Sequence, residues 1–172
     1  MNHLFFITGF NNWGKSSIIR SLFSPIRRFW WNGHYPLHYH PHLFFSVKQA
    51  SNDDYPINDY LQSLNDHVQA ARQKNIENMI AALCPSLEAN NNFHQILQDP
   101  VVLSFKQVHL VYLEYRWEGH AKLLISQIRN SISQGVLNLG PEIIIADQAQ
   151  MTNQQLWDRK IRKISDDIAQ MI

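Results

Sequence analysis

Residues 4–16 read Leu4-Phe5-Phe6-Ile7-Thr8-Gly9-Phe10-Asn11-Asn12-Trp13-Gly14-Lys15-Ser16, and the helical pattern Ser17-Ile18-Ile19-Arg20-Ser21-Leu22-Phe23 follows directly. An apolar run of strand length, a glycine-bounded turn and a helix, in that order, aim several backbone N–H groups and the positive end of a helix dipole at one point. Gly9 and Gly14 free the turn from the steric limits of a Cβ. Lys15 adds a point charge suited to outer phosphates, and Ser16 offers a hydroxyl to a magnesium ion. The stretch is the Walker A, or P-loop, pattern G-x-x-x-x-G-K-S in strand, turn and helix context. Gly9, Phe10, Asn11, Asn12, Trp13, Gly14, Lys15, Ser16 and Ser17 are therefore expected to surround a bound nucleotide.

Beyond the first helix, which Pro25 should end, residues 27–42 read as a long, irregular, aromatic connection. Leu43 to Val47 forms a second buried strand, closed by the turn-rich Ser51-Asn52-Asp53-Asp54-Tyr55-Pro56. Tyr60, Leu61, Leu64, Val68 and Ala71 fall at helical spacing, with Pro56 at the first turn. Met79 to Leu83 reads as a third strand stopped by Cys84-Pro85, and a short helix is expected around Phe93 to Leu97. Val108 to Leu113 is a fourth strand with Glu114 at its end. Ala121, Leu124, Ile125, Ile128 and Ile132 mark a helix that Gly135 suits as a terminator. Ile143 to Ala146 is a fifth strand before Asp147. Thr152 and Gln155 form a capping box for a last helix with Trp157, Ile161, Ile164, Ile168 and Met171 on one face.

A chain of 172 residues with 45% hydrophobic and 12% aromatic content fits one domain spanning residues 1–172. Fifteen basic and fourteen acidic side chains leave a net charge of +1, without the broad positive field of a general nucleic-acid binder. The single cysteine, Cys84, excludes an internal disulfide. The N-terminus runs straight into the first strand, so the cytoplasm is the expected location, and no apolar stretch approaches bilayer length.

Strands alternating with helices imply right-handed crossovers and a parallel sheet covered on both faces, an α/β fold of three layers. The P-loop, Asp53, Asp54, Cys84 to Ser86, Glu114 and Asp147 all fall at strand ends, where ligands of such sheets bind. The order of elements resembles the small P-loop kinases that phosphorylate metabolites, of the gluconate kinase and adenylylsulfate kinase kind. Besides the P-loop, Ile80-Ala81-Ala82-Leu83-Cys84-Pro85-Ser86, Val108 to Glu114 and Ile143 to Asp147 are similar to strands of that group. The resemblance implies a five-stranded parallel sheet in the order 2-3-1-4-5. It also implies an ATP- and Mg2+-dependent kinase acting on a small hydroxylated acceptor. The lid arginines usual in that group have only Arg116 and Arg129 as counterparts before Arg159, and the third strand ends without a carboxylate.

Phosphoryl transfer needs charge neutralised on the transferred group and a base for the acceptor hydroxyl. Lys15 is the expected catalytic cation, Asp53 or Asp54 the base, and Ser16 with Glu114 the magnesium ligands. Asp53 and Asp54 equally suit an ordinary turn, since Asn and Asp favour turns for backbone reasons. His34, His38, His40 and His42 lack the cysteines or carboxylate of a known metal pattern. With Trp30, Trp31, Tyr35 and Tyr39, the segment 29–42 better suits an aromatic surface for an acceptor or a protein partner. Cys84, with no basic neighbour in sequence, reads as a small buried hydrophobe. The rival to a kinase is a P-loop NTPase or regulatory nucleotide-binding module without a small-molecule acceptor.

Overall fold

The computed structural model describes residues 1–113, 129, 137–145 and 153–172. The first half of the chain holds β1 (His3–Thr8), α1 (Lys15–Leu22), β2 (Tyr35–Leu37), β3 (His40–Lys48), α2 (Ile57–Gln73) and β4 (Asn78–Leu83). It continues through β5 (Leu87–Glu88), β6 (Asn91–Asn92), α3 (Phe93–Leu97), α4 (Pro100–Leu103), β7 (Gln107–Leu113), β8 (Ile143–Ile145) and a last helix, α5 (Gln154–Gln170). The expected helix from Ala121 to Ile132, its terminator Gly135, and Glu114, Arg116, Ala146, Asp147 and Thr152 lie outside the described residues.

β1 is apolar on both faces, so both faces need a cover. Phe5 and Ile7 join Ile18, Ile19 and Leu22 of α1 and Trp157, Ile161, Ile164 and Ile168 of α5 in one buried cluster. Leu4 and Phe6 join Tyr60, Leu64 and Val68 of α2 and Phe93, Ile96 and Leu97 of α3 in the other. Each such side chain, fully buried, contributes roughly 1.5–3 kcal/mol from area removed from water. Trp157 also ties the first cluster together by donating its indole N–H to Ser21 Oγ at 3.0 Å. At the start of α5 the capping residue is Asn153, whose side chain accepts from the Leu156 amide at 3.2 Å, one position later than the capping box expected from Thr152.

The sheet itself corrects the expectation of five parallel strands in the order 2-3-1-4-5. It has six strands in the order β2-β3-β4-β1-β7-β8, and its outermost pair is antiparallel. A second, two-stranded antiparallel sheet pairs β5 with β6. The extra strand arises in the segment read as an irregular connection. Tyr35 pairs with Phe45, Pro36 with Phe44 and Leu37 with His40. Pro36 lacks an N–H and cannot donate to a ladder. An edge strand needs ladder donors on one side only, and there a proline is tolerated. Tyr35 and Leu37 are then buried while Pro36 and the neighbouring His34 and His38 face outward. β3 starts at His40, three residues before the expected strand, because that hairpin extends it.

β3, β4, β1, β7 and β8 run parallel to one another, so the ends of β1, β3 and β4 share one rim of the sheet. Among the described residues no helix is long and apolar enough to cross a membrane.

Candidate functional site

The turn after β1 is built from main-chain contacts. The Gly9 amide donates to Leu83 O at 3.1 Å and extends the ladder with β4 by one rung. The Trp13 amide closes onto Phe10 O at 3.2 Å. Asn12, at φ 62, and Gly14, at φ 78, both adopt left-handed backbone, which costs Asn little and Gly nothing. Gly14 is the N-cap of α1 and offers no side-chain cap. The first intrahelical bond runs from the Ile18 amide to Gly14 O at 2.9 Å. The amides of Lys15, Ser16 and Ser17, which precede it, have no intrahelical acceptor, and no acceptor is found for them among the described residues. No acidic residue occupies the first turn. The result is a set of converging N–H groups at a positive helix end, open to an anion.

Lys15 lies inside this turn, only 6% exposed. Its ammonium donates to Phe10 O at 3.1 Å and to Asp53 Oδ2 at 3.4 Å. Asp53 Oδ1 is buried and without a hydrogen-bond partner. Ser16 Oγ donates to Gln49 O at 3.4 Å, a long bond that a better acceptor would displace.

Asp53 is placed by its neighbour. Asn52 is fully buried. Its Oδ1 accepts from the Cys84 amide at 2.7 Å, and its Nδ2 donates to Cys84 O at 3.0 Å and to Asn91 Oδ1 at 2.9 Å. Asn91 returns a bond from its amide to Asn52 O at 2.6 Å. The loop after β3 is thereby fastened to the end of β4 and to the small β5–β6 sheet. The structure separates the two aspartates named from sequence. Asp53 opens onto a cleft of about 710 Å3 with Phe10, Asn11, Cys84, Ser86 and Glu88. Asp54 opens onto a second cleft of about 680 Å3 that also holds Ser16, Lys48 and Asp59. Asp54 Oδ2 accepts from the Ser51 amide at 2.9 Å, which fixes the turn between them.

Cys84 is buried. Burial and the Asp53 carboxylate push its thiol up to about 11, so it stays protonated at neutral pH and is a poor nucleophile. Gly9, Phe10, Asn11, Asn12, Trp13, Gly14, Lys15, Ser16 and Ser17 are brought together as one turn and helix start. Phe10 and Trp13 meet edge to face, their rings 5.1 Å apart, on one side of it. Trp13 further lies against Gly9, where an added Cβ would come 3.3 Å from its ring. Arg129 is engaged with Glu142 through two bonds of 2.9 and 2.8 Å.

The histidine segment does not converge on a single point. His40 Nε2 meets Asp166 Oδ1 of α5 at 2.8 Å, His38 stacks edge-on against Tyr39, and His34 leans on Phe44. Among the described residues no group of three or more His, Cys, Asp or Glu side chains is placed to hold a metal ion. Trp30 and Trp31 are 65% and 55% exposed, whereas Tyr35 is buried and takes the Trp30 amide on its hydroxyl at 2.6 Å.

Sequence reasoning passed over Lys48, Asn52 and His67. A lysine closing an apolar strand was the available signal for the first, since β3 buries Phe45 and Val47 on one face and carries Ser46 and Lys48 on the other.

No family model, curated protein or solved structure matches this chain.

Proposed function

We propose that the chain binds a nucleoside triphosphate, ATP by preference, through Gly9 to Ser17 and transfers its terminal phosphoryl group to a small hydroxylated acceptor. The observation that carries this reading is the run of helix-start amides at Lys15, Ser16 and Ser17 without acceptors among the described residues, beside the buried Lys15 ammonium held by Phe10 O and Asp53. Unpaired donors at a helix start suit phosphate oxygens. The unpartnered Asp53 Oδ1 and the loosely held Ser16 hydroxyl fit the small protein share that magnesium takes when phosphates supply other ligands. Bound there, magnesium would neutralise charge on the phosphates. Lys15 would exchange its bonds to Phe10 O and Asp53 for phosphate oxygens.

Asp54 is the better of the two candidate bases, because it shares a cleft with Ser16 whereas Asp53 is already paired with Lys15. In the transfer, the acceptor hydroxyl oxygen forms its bond to the γ-phosphorus as the bond to the β,γ-bridging oxygen breaks. The hydroxyl proton passes to Asp54, and the nucleoside diphosphate leaves. A cytoplasmic setting, where nucleoside triphosphates are abundant, goes with this reading.

The test uses γ-labelled ATP with magnesium, a deproteinised metabolite extract, and the wild type beside Lys15→Ala. A labelled small molecule made by the wild type alone is the expected outcome, with Mg-ATP affinity in the variant reduced about ten- to a hundredfold, as for loss of a charged hydrogen bond. Label released only as free phosphate would replace the kinase by an NTPase or a regulatory module. Equal ATP affinity in the two proteins would overturn nucleotide binding at this loop.

A further inference from the structure

β2 covers β3 only as far as Phe45. From Ser46 to Lys48 the strand is paired inward to β4 alone, opposite Met79, Ile80 and Ala81. The cleft of about 680 Å3 lies along this uncovered stretch, with Val47, Lys48 and Gln49 on one side, Ser63 and His67 of α2 on the other, and Ser16 at the loop end. That volume is the size of a small-molecule site.

Lys48 is 4% exposed. Its ammonium donates to Ser63 Oγ at 3.1 Å and lies 4.6 Å from the Tyr60 ring centre and 5.7 Å from that of Tyr55. Among the described residues no carboxylate comes within 4.0 Å of it. A buried cation so placed is costly unless something negative meets it. Burial lowers its pKa to about 8, with Asp54 working against the shift, so the group is charged at neutral pH. His67 Nδ1 donates to Ser63 O at 2.8 Å and burial lowers its pKa, so it adds no second cation. Asp54 and Asp59, both exposed, stand at the rim.

We propose that this cleft binds a small monoanion, its charged group on the Lys48 ammonium and its hydroxyl or amine donors toward Asp54 and Asp59. One deep cation calls for one negative group, and two rim carboxylates repel a second. As the acceptor of the phosphoryl transfer, this ligand rests on the reading given above; as a bound anion it stands independently.

Calorimetric titration of the full chain with D-glycerate, glycerol and inorganic phosphate tests it, in the wild type, Lys48→Met and Lys15→Ala. Glycerate is expected to bind the wild type and Lys15→Ala alike, glycerol and phosphate more weakly. In Lys48→Met, glycerate should weaken about ten- to a hundredfold, the loss typical of a charged hydrogen bond, with Mg-ATP affinity retained. If circular dichroism shows that Lys48→Met has lost its fold, Lys48→Gln, uncharged and still able to donate to Ser63, gives the same reading. Glycerate lost on Lys48 substitution while neither wild type nor variant binds Mg-ATP would keep the anion site and remove the phosphotransfer. Equal glycerate binding with and without Lys48, tighter binding of phosphate, no binding of any probe by the wild type, or loss of Mg-ATP together with glycerate would each overturn the proposal.

Discussion

Asn52 shows how much one side chain can decide. Its amide satisfies both main-chain groups of Cys84 and one side chain of the β5–β6 sheet. Asn52→Ala would leave the buried Cys84 N–H without its partner, while Cys84 O keeps the Ser86 amide at 2.9 Å, at a cost of roughly 1–3 kcal/mol. A urea titration should show the midpoint fall accordingly, and the loss of Lys15–Asp53 registry should weaken nucleotide binding further. A midpoint unchanged from wild type would mean that water replaces the clamp. The neighbouring thiol offers a second check. With its pKa raised to about 11 by burial and Asp53, Cys84 should react with iodoacetamide at pH 7.5 far more slowly in the folded chain than in urea. Rapid modification of the native protein would contradict the packing around Asp53.

Among the elements, α2 is anchored where the sheet runs out of partners. The pairing of β3 with β4 ends at Lys48 and Ala81, and Tyr60 of α2 donates to the next carbonyl, Ala82 O, at 2.7 Å. Burial and Asp53 raise the Tyr60 pKa, so the hydroxyl remains a donor throughout the usable pH range. Tyr60→Phe keeps the ring and removes the bond, and should destabilise by about 1–2 kcal/mol, read as a lower thermal midpoint. The helix was legible because Tyr60, Leu64 and Val68 repeat at helical spacing, and the core strands because apolar residues fill both of their faces. The glycine turn was legible because its residue types follow from left-handed backbone at Gly14. β2 was not, because three residues around a proline carry no periodicity, and only pairing with Phe44 and Phe45 makes them a strand. Nor could spacing tell that Asp53 and Asp54 open onto different clefts, which depends on the tight turn that the Ser51 amide makes with Asp54. Lys48 lies one residue past the strand read from sequence, and its burial comes from Tyr60 and Ser63 of α2 folding over it.

For the molecule as a whole, acid is the condition to watch. His109 is fully buried between Phe5, stacked at 4.5 Å, and His3, stacked at 5.3 Å. Its Nδ1 faces Pro141 O at 3.0 Å, a pure acceptor, so that nitrogen carries the proton and Nε2 accepts from His3 Nδ1 at 3.0 Å. A second proton on His109 must take Nε2, which removes the acceptor and breaks the pair. Burial lowers the pKa of His3, His67 and His109 below the ordinary 6.5. The unfolded chain therefore binds more protons than the folded one below that value. The stability from these neutral rings is complete above about pH 6.5 and is lost as pH falls toward their folded values. The urea midpoint should drop between pH 7.5 and 5, and His3→Gln should flatten part of the slope; a level profile would refute the account. Gly140 belongs to the same arrangement, since a Cβ there would lie 2.5 Å from His109 Cε1.

The short antiparallel strand at the sheet border has a consequence for copies of this chain meeting one another. Fibrils and strand-swapped aggregates grow by adding rungs to a long, flat, free edge. β2 presents three residues, one of them a proline ring with no hydrogen to give. An incoming strand would find too few rungs to hold it, so the hairpin that lengthens the sheet also ends its growth.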